Sequence, residues 1–281
     1  MTAGKDPNVD PETVAGFGEE WSAFTQEDLN PAEHLRMFDE YFGMFPIDEL
    51  KEAEGFDLGS GSGRWAALVA PHVAKLHCIE PSGKALDVSR RRLGGMANVE
   101  FHLAGAHDIP LPDESQDFCY SLGVLHHIPD TELALRCCVA KLRCGAPFLV
   151  YLYYRFDNRP GWYRALWRAS ELGRNLISRL PFGARRAVAE IIAASVYFPL
   201  SRAARLAEKA GASISGWPLS HYRSYGYYTM RTDALDRFGT KLEQRFSRPE
   251  IEVMMRRSGL EDIRFQDAPP YWIAMGRKAD R

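Results

Sequence analysis

A chain of 281 residues with 46% apolar and 12% aromatic content is long and apolar enough to bury one large core, with room for an appended subdomain. Its 35 basic and 37 acidic residues nearly cancel, which removes the basic excess that nucleic-acid binding requires, so no nucleic-acid partner is expected. The five cysteines, Cys78, Cys119, Cys137, Cys138 and Cys144, are odd in number and contain no CxxC pair; neither a disulfide framework nor a metal site is expected, and the chain reads as cytoplasmic.

The opening MTAGKDPNVDPETV lacks the basic start and apolar run of a signal peptide, and residues 1–20 are expected to form a flexible tail. From Trp21 to Leu50, apolar and aromatic residues at Leu35, Phe38, Tyr41, Phe42 and Phe45 recur at helical spacing and predict one or two helices. A short strand, AEGF, then runs into FDLGSGSGRW. After that turn RWAALVAPHV predicts a helix, Lys75–Glu80 a strand, and GKALDVSRRRL a helix capped by Ser82. VEFHLA and Asp117–Leu122 are the next strands; TELALRCCVAKLRC, capped by Asp130 and closed by Gly145, is a helix; Pro147–Tyr154 is an apolar and aromatic strand.

Strands alternate with helices from Phe56 to Tyr154, the signature of a parallel sheet with helices on both faces. The alternation then stops for about 90 residues, helical and rich in Arg and Tyr. It resumes at RPEIEVMMRRSGL, a helix ended by Gly259, followed by EDIRFQ and YWIAMGRK, which predict an antiparallel C-terminal strand pair. The most apolar run, Ile191–Leu200, is too short to span a bilayer, which takes roughly 20 residues, and Pro199 is expected to break its helix.

Charge is unevenly spread. Residues 1–54 hold 14 acids against three bases, net −11, while residues 155–209 hold 11 bases against four acids, net +7. Either these are solvated faces that attract each other, or the basic segment meets an anionic ligand or a membrane surface.

Gly59, Gly61 and Gly63 follow a strand and open a helix, so the backbone of this turn can approach a ligand closely. A dinucleotide fingerprint would put its third glycine at position 64, where this chain has Arg64. The pattern is instead Asp57-x-Gly59-x-Gly61-x-Gly63, with a second acid, Glu80, ending the next strand where a carboxylate could accept both ribose hydroxyls. With IEPS and HLAGAHDIPLPDESQDFCYSLGVLHHIPD at matching places, the chain resembles the class I S-adenosylmethionine-dependent methyltransferases, of the small-molecule group similar to the ubiquinone and menaquinone C-methyltransferases. The resemblance covers Phe56 to about Tyr154 and Arg248–Lys278, roughly half the chain.

That resemblance implies a Rossmann-like, mostly parallel α/β sheet with helices on both faces and a helical insertion after the fifth strand. Its divisions would be a tail over 1–20, lid helices over 21–50, a cofactor-binding core over 51–154, a substrate-binding insertion over 155–245 and the rest of the core over 246–281. The implied cofactor is S-adenosylmethionine. Asp57, Gly59, Ser60, Gly61 and Gly63 would lie under its methionine part, Glu80 and Pro81 on the ribose, Ala106 and His107 at the adenine edge, and the backbone near Leu122 at its amino group. Many relatives carry an Asp where this chain has Ala106; either Asp108 reaches the adenine instead, or the backbone alone does. The N-terminal helices, with Trp21, Phe24, Tyr41 and Phe42, are either a cover over the cofactor or plain core.

A sulfonium already makes its methyl electrophilic, so such an enzyme chiefly positions the nucleophile, and a base is needed only where the acceptor holds a proton it cannot lose unaided. His126 and His127, after the fourth strand, are the catalytic candidates, with packing of the loop as the other reading. Tyr154, Arg155, His221, Arg223 and Tyr225 are the candidate substrate-binding residues, since Tyr hydroxyls and Arg forks suit a carboxylate, phosphate or sugar; helix packing is the alternative. The expected partner is a small-molecule acceptor, methylated on oxygen or nitrogen. C-methylation of a quinone-like or lipid precursor, with residues 185–211 lying on a membrane, and a catalytically silent cofactor-binding partner protein are the competing readings.

Overall fold

The computed structural model describes residues 8–214 and 216–280. Within the expected tail, residues 11–20 are helical instead: α1 runs Pro11–Ala23, because Asp10 caps it by accepting from the Thr13 amide (2.7 Å) and Pro11 fits a first turn whose amides lack partners anyway; residues 1–7 lie outside the described chain. Helix α2 is Pro31–Phe42.

The core elements follow in order: β1 Glu54–Leu58, α3 Ala66–Val69, β2 Lys75–Glu80, α4 Gly83–Leu93, β3 Val99–Leu103, β4 Phe118–Leu122, α5 Thr131–Lys141 and β5 Pro147–Tyr151. The insertion carries α6 Gly161–Ile177, α7 Phe182–Ile192, α8 Phe198–Lys209 and α9 Tyr227–Gly239. The core resumes with α10 Arg248–Arg257, β6 Leu260–Phe265 and β7 Ile273–Lys278.

The seven strands are ordered β3-β2-β1-β4-β5-β7-β6, parallel except for β7, which pairs antiparallel with both β5 and β6. The expected antiparallel pair is present, and β7 inserts between β5 and its own hairpin partner. Chain order reverses between β1 and β4, so the crevice beyond their carboxyl ends is where an open sheet of this kind takes a ligand. One face buries Phe56, Leu58, Ile79, Cys119, Phe148 and Val150 against Leu135 and Cys138 of α5 and Ile251 and Met255 of α10. On the other, Phe42, Phe45, Trp65, Phe118 and Tyr120 pack edge to face, in a geometry worth about 0.5–1.5 kcal/mol per pair beyond area burial.

Three expected elements differ. The helix after the glycine turn is only α3, because Pro71 lacks the amide a longer helix needs and the chain tightens into a 3-10 turn over Ala70–His72. Ser82 stands before α4, but its hydroxyl does not cap it. Strand β5 stops at Tyr151, because its partner β4 ends at Leu122 and the next residue, Gly123, leaves the strand with a φ of 78°.

Contacts divide the chain into two units, one of residues 8–22, 38–155 and 242–280, the other of Ala23–Met37 and Phe156–Lys241. The second has its own core, in which Phe24 packs with Ala189, Ala193, Tyr197, Met230 and Leu235. Pro199 does not break its helix. A π-turn over Ala193–Tyr197 joins α7 to α8, relieving the clash a proline ring makes with the carbonyl four residues earlier and producing a continuous helix over Phe182–Lys209. That helix has 28 residues and the apolarity to cross a membrane, by length and composition, which the ten-residue count over Ile191–Leu200 missed.

Candidate functional site

The glycine turn follows from β1 as the sequence requires. Gly59, Gly61 and Gly63 all take positive φ (78°, 54° and 73°), which side-chain-bearing residues adopt with strain. A Cβ on Gly59 would fall 2.4 Å from Val124 in the loop after β4, so the two loops flanking the crevice touch only because position 59 has no side chain. Since α3 is a single turn, no helix dipole stands behind this site; its donors are the backbone amides of the turn.

Glu80 ties the turn down. Its Oε2 accepts from the Gly61 amide at 3.0 Å and its Oε1 from the Ser82 amide at 2.9 Å, and each oxygen keeps a lone pair for a further donor. Burial raises its pKa to about 7 against the pull of those two amides. Asp57 is pushed further, to about 8, by burial first and by the charge of Glu80; the nearby Tyr120 phenol and Arg64 pull the other way. Asp57 Oδ2 and the hydroxyls of Ser60 and Ser62 are buried without a hydrogen-bond partner among the described residues. Orphaned buried acceptors and hydroxyls beside a glycine cradle fit a polar ligand with hydroxyl and cationic groups, as S-adenosylmethionine has, and leaving them unmet costs about 1–3 kcal/mol each. Arg64, at the position that rules out a dinucleotide fingerprint, lies over the Trp21 and Trp65 rings at 5.8 and 4.6 Å.

These carboxyls carry a pH signature. A carboxyl whose folded pKa exceeds its unfolded one binds more protons when folded, so stability falls as pH rises. His126, held well below its ordinary pKa by burial, and His221, at about 4, have the opposite sign but are silent once unfolded histidine is neutral. The stability of the ligand-free chain is therefore expected to fall by a few kcal/mol in all between about pH 6.5 and pH 8.5, and its melting temperature to fall with it. Asp57→Asn with Glu80→Gln should flatten that slope in thermal melts.

The remaining expected cofactor residues sit along the same edge. Pro81 follows β2. Leu122 ends β4, buried, ahead of Gly123. Ala106 is buried and His107 exposed in the loop after β3, where Asp108 Oδ1 accepts from the Gly105 amide at 2.6 Å; that oxygen serves its own loop rather than reaching outward. Residues 8–22 cover this edge. Asn8 exchanges hydrogen bonds with the Asp130 backbone, Phe17 sets its ring edge-on to His127 at 4.9 Å, Gly18 abuts Ser82, and the Trp21 indole lies over Gly61. Of the aromatics expected as a cover only Trp21 takes that place; Tyr41 and Phe42 join the sheet-face aromatics and Phe24 the second unit's core.

His126 and His127 form a 3-10 turn after β4, both buried. His126 is stacked on Tyr153 (centroids 3.8 Å apart) with no partner on either ring nitrogen among the described residues, so it stays neutral. His127 Nδ1–H donates to the Leu242 carbonyl at 2.6 Å, which fixes the tautomer and makes Nε2 the basic nitrogen.

The expected substrate residues have other work. Tyr154 turns to the opposite side from Tyr153 and packs on Tyr271 and Trp272, while Arg155 is held by Glu250 (2.8 Å) and the Arg245 carbonyl, stapling α10. In the second unit Arg223 is gripped by both oxygens of Glu208, and the buried Tyr225 ring meets His221 edge-on. Tyr222 donates to Asp233 and Tyr227 to Glu190. Internal packing accounts for these residues. Not among the expected site residues are Tyr151 and Tyr153, whose rings meet at 5.6 Å, with Tyr153 against His126.

Residues 56–150 match the methyltransferase domain family. The core has the Rossmann-like fold of the methyltransferases. No curated protein matches the chain. Among solved structures it is similar to a putative methyltransferase from Bacillus halodurans C-125 (14% identity over 81% of this chain and 72% of that one, TM-score 0.50). It is also similar to human N-acetylserotonin methyltransferase in complex with S-adenosylmethionine (13%, 95% and 55%, TM-score 0.50). A third is a Haemonchus contortus phosphoethanolamine N-methyltransferase (14%, 94% and 48%, TM-score 0.51). At these identities the methyltransferase likeness is one of fold.

Proposed function

We propose that this methyltransferase moves the methyl of S-adenosylmethionine to an oxygen or nitrogen of a small polar acceptor. The observation that carries this reading is His127, whose Nε2 is made the proton acceptor by the Leu242 carbonyl and which stands beside the crevice between β1 and β4. The bound cofactor would supply a methyl already activated by the sulfonium. Asp57, the glycine turn and the Leu122 backbone would hold its methionine part, Glu80 and Pro81 its ribose, and Ala106 and His107 its adenine. Trp21 and the rest of residues 8–22 would exclude water from the transfer. His127 would take the acceptor's proton, while the neutral His126–Tyr153 stack keeps that wall free of charge. An anionic acceptor loses its support, because Arg155 and Arg223 are already paired.

A screen of hydroxyl and amine metabolites with methyl-labelled cofactor tests this: O- or N-methylated products support it, whereas exclusively C-methylated products would refute it. Cofactor binding with no turnover on any acceptor would favour the silent partner.

One observation favours the C-methylation of a quinone-like or lipid precursor, the activity of the relatives the sequence resembles. Ile191, Val196, Phe198, Leu200 and Leu206 along the 182–209 helix are exposed, and only 28% of its most apolar window is buried. With Arg185, Arg186, Arg202 and Arg205 on the same helix it suits an anionic surface. On that reading the chain floats with anionic vesicles and Ile191→Glu with Leu206→Glu releases it; a chain that stays with the solution would exclude it.

A further inference from the structure

Strands β1, β2 and β3 bring together a cluster that methyl transfer does not use. His77 of β2 lies in register with Glu100 of β3, and His102 follows two residues on, so all three side chains share one face of the sheet. His77 Nδ1 is 2.9 Å from His102 Nε2 and 3.4 Å from Glu100 Oε2, and Glu100 Oε2 is 3.9 Å from His102 Nε2. A triangle with these sides has its equidistant point about 2 Å from every corner, which is the Zn–N and Zn–O bond length.

We propose that His77, Glu100 and His102 form a binding site for one divalent transition-metal ion of the zinc type. The surrounding groups fit that role. His77 Nε2 lies 2.7 Å from Glu54 Oε1, so its second nitrogen donates to a carboxylate and its Nδ1 lone pair faces the other two groups, the arrangement that orients metal-bound histidines. Glu100 presents Oε2 to the ion while Lys75 holds its Oε1 at 2.8 Å. His77 is buried, whereas His102 and Glu100 border solvent, leaving an entry path and a fourth position for water. Two imidazoles and one carboxylate select zinc over magnesium or calcium, which take oxygen ligands. The site would clamp the edge strand β3 to β2. Cysteine spacing gave no hint of it, because none of its ligands is a cysteine and His77 lies on a different strand, 23 and 25 residues before the other two.

The test is calorimetric titration of the full chain with zinc, and with magnesium as control, in a Cys144→Ser background, so that this exposed thiol contributes no heat. One zinc per chain is expected, with no magnesium heat and a melting temperature that rises with zinc. His102→Ala and Glu100→Gln should abolish the zinc heat while S-adenosylmethionine affinity, read on the same samples, stays that of the parent and shows them folded. Glu54→Gln should weaken zinc binding about 10- to 100-fold, as loss of an orienting carboxylate does. Absence of zinc binding, or zinc binding unchanged in His102→Ala and Glu100→Gln, would overturn the proposal.

Discussion

Glu80→Ala is expected to weaken S-adenosylmethionine binding roughly 10- to 100-fold in calorimetry, the equivalent of losing about one hydrogen bond to a charged acceptor. Two effects combine. The carboxylate that would accept the ribose hydroxyls is gone, and the Gly61 and Ser82 amides lose the acceptor that holds the turn in place. Glu80→Gln separates them, because an amide can accept from one of those N–H groups but not from both. Its affinity should fall between parent and Ala. The parent should also bind more tightly as pH rises through about 7, where Glu80 ionises, and Glu80→Gln should lose that rise. Unchanged affinity in Glu80→Ala would sink the ribose role.

His127→Ala is expected to lower kcat by about 10²- to 10⁴-fold on a hydroxyl acceptor, the usual worth of a positioned base, with cofactor affinity unchanged. His126→Ala should behave differently. That ring is fully buried on Tyr153, so its loss should lower stability by about 1–3 kcal/mol and leave kcat per folded enzyme near the parent's. Equal kcat losses in both variants, or a parental kcat in His127→Ala, would remove His127 from proton transfer.

Elements whose causes are local were legible in the sequence. Strand β2 and helix α4 fall where the pattern puts them, residue for residue, because alternation, apolar spacing and the Gly94-Gly95 stop all act within a dozen residues. Asp130 caps α5 as expected, accepting from Leu133 at 2.8 Å. The glycine turn and its two acids were legible for the same reason: the φ values and the carboxylates are properties of positions 57–63 and 80. Less was legible where a distant partner decides. Tyr153 and Tyr154 are neighbours in sequence, but one stacks on His126 and the other packs tilted against Tyr271, which depends on where β5 leaves the sheet. Composition alone could not tell an arginine aimed at an acceptor from one held by Glu250 or Glu208.

By itself the sequence determined the α/β alternation, the glycine turn and the carboxylate that ties it down, since each follows from the backbone freedom or charge of residues close along the chain. Tertiary structure alone decided which histidine nitrogen is basic, that residues 8–22 cover the crevice, and that His77, Glu100 and His102 converge. Those depend on a carbonyl, an indole and a strand register supplied from tens of residues away.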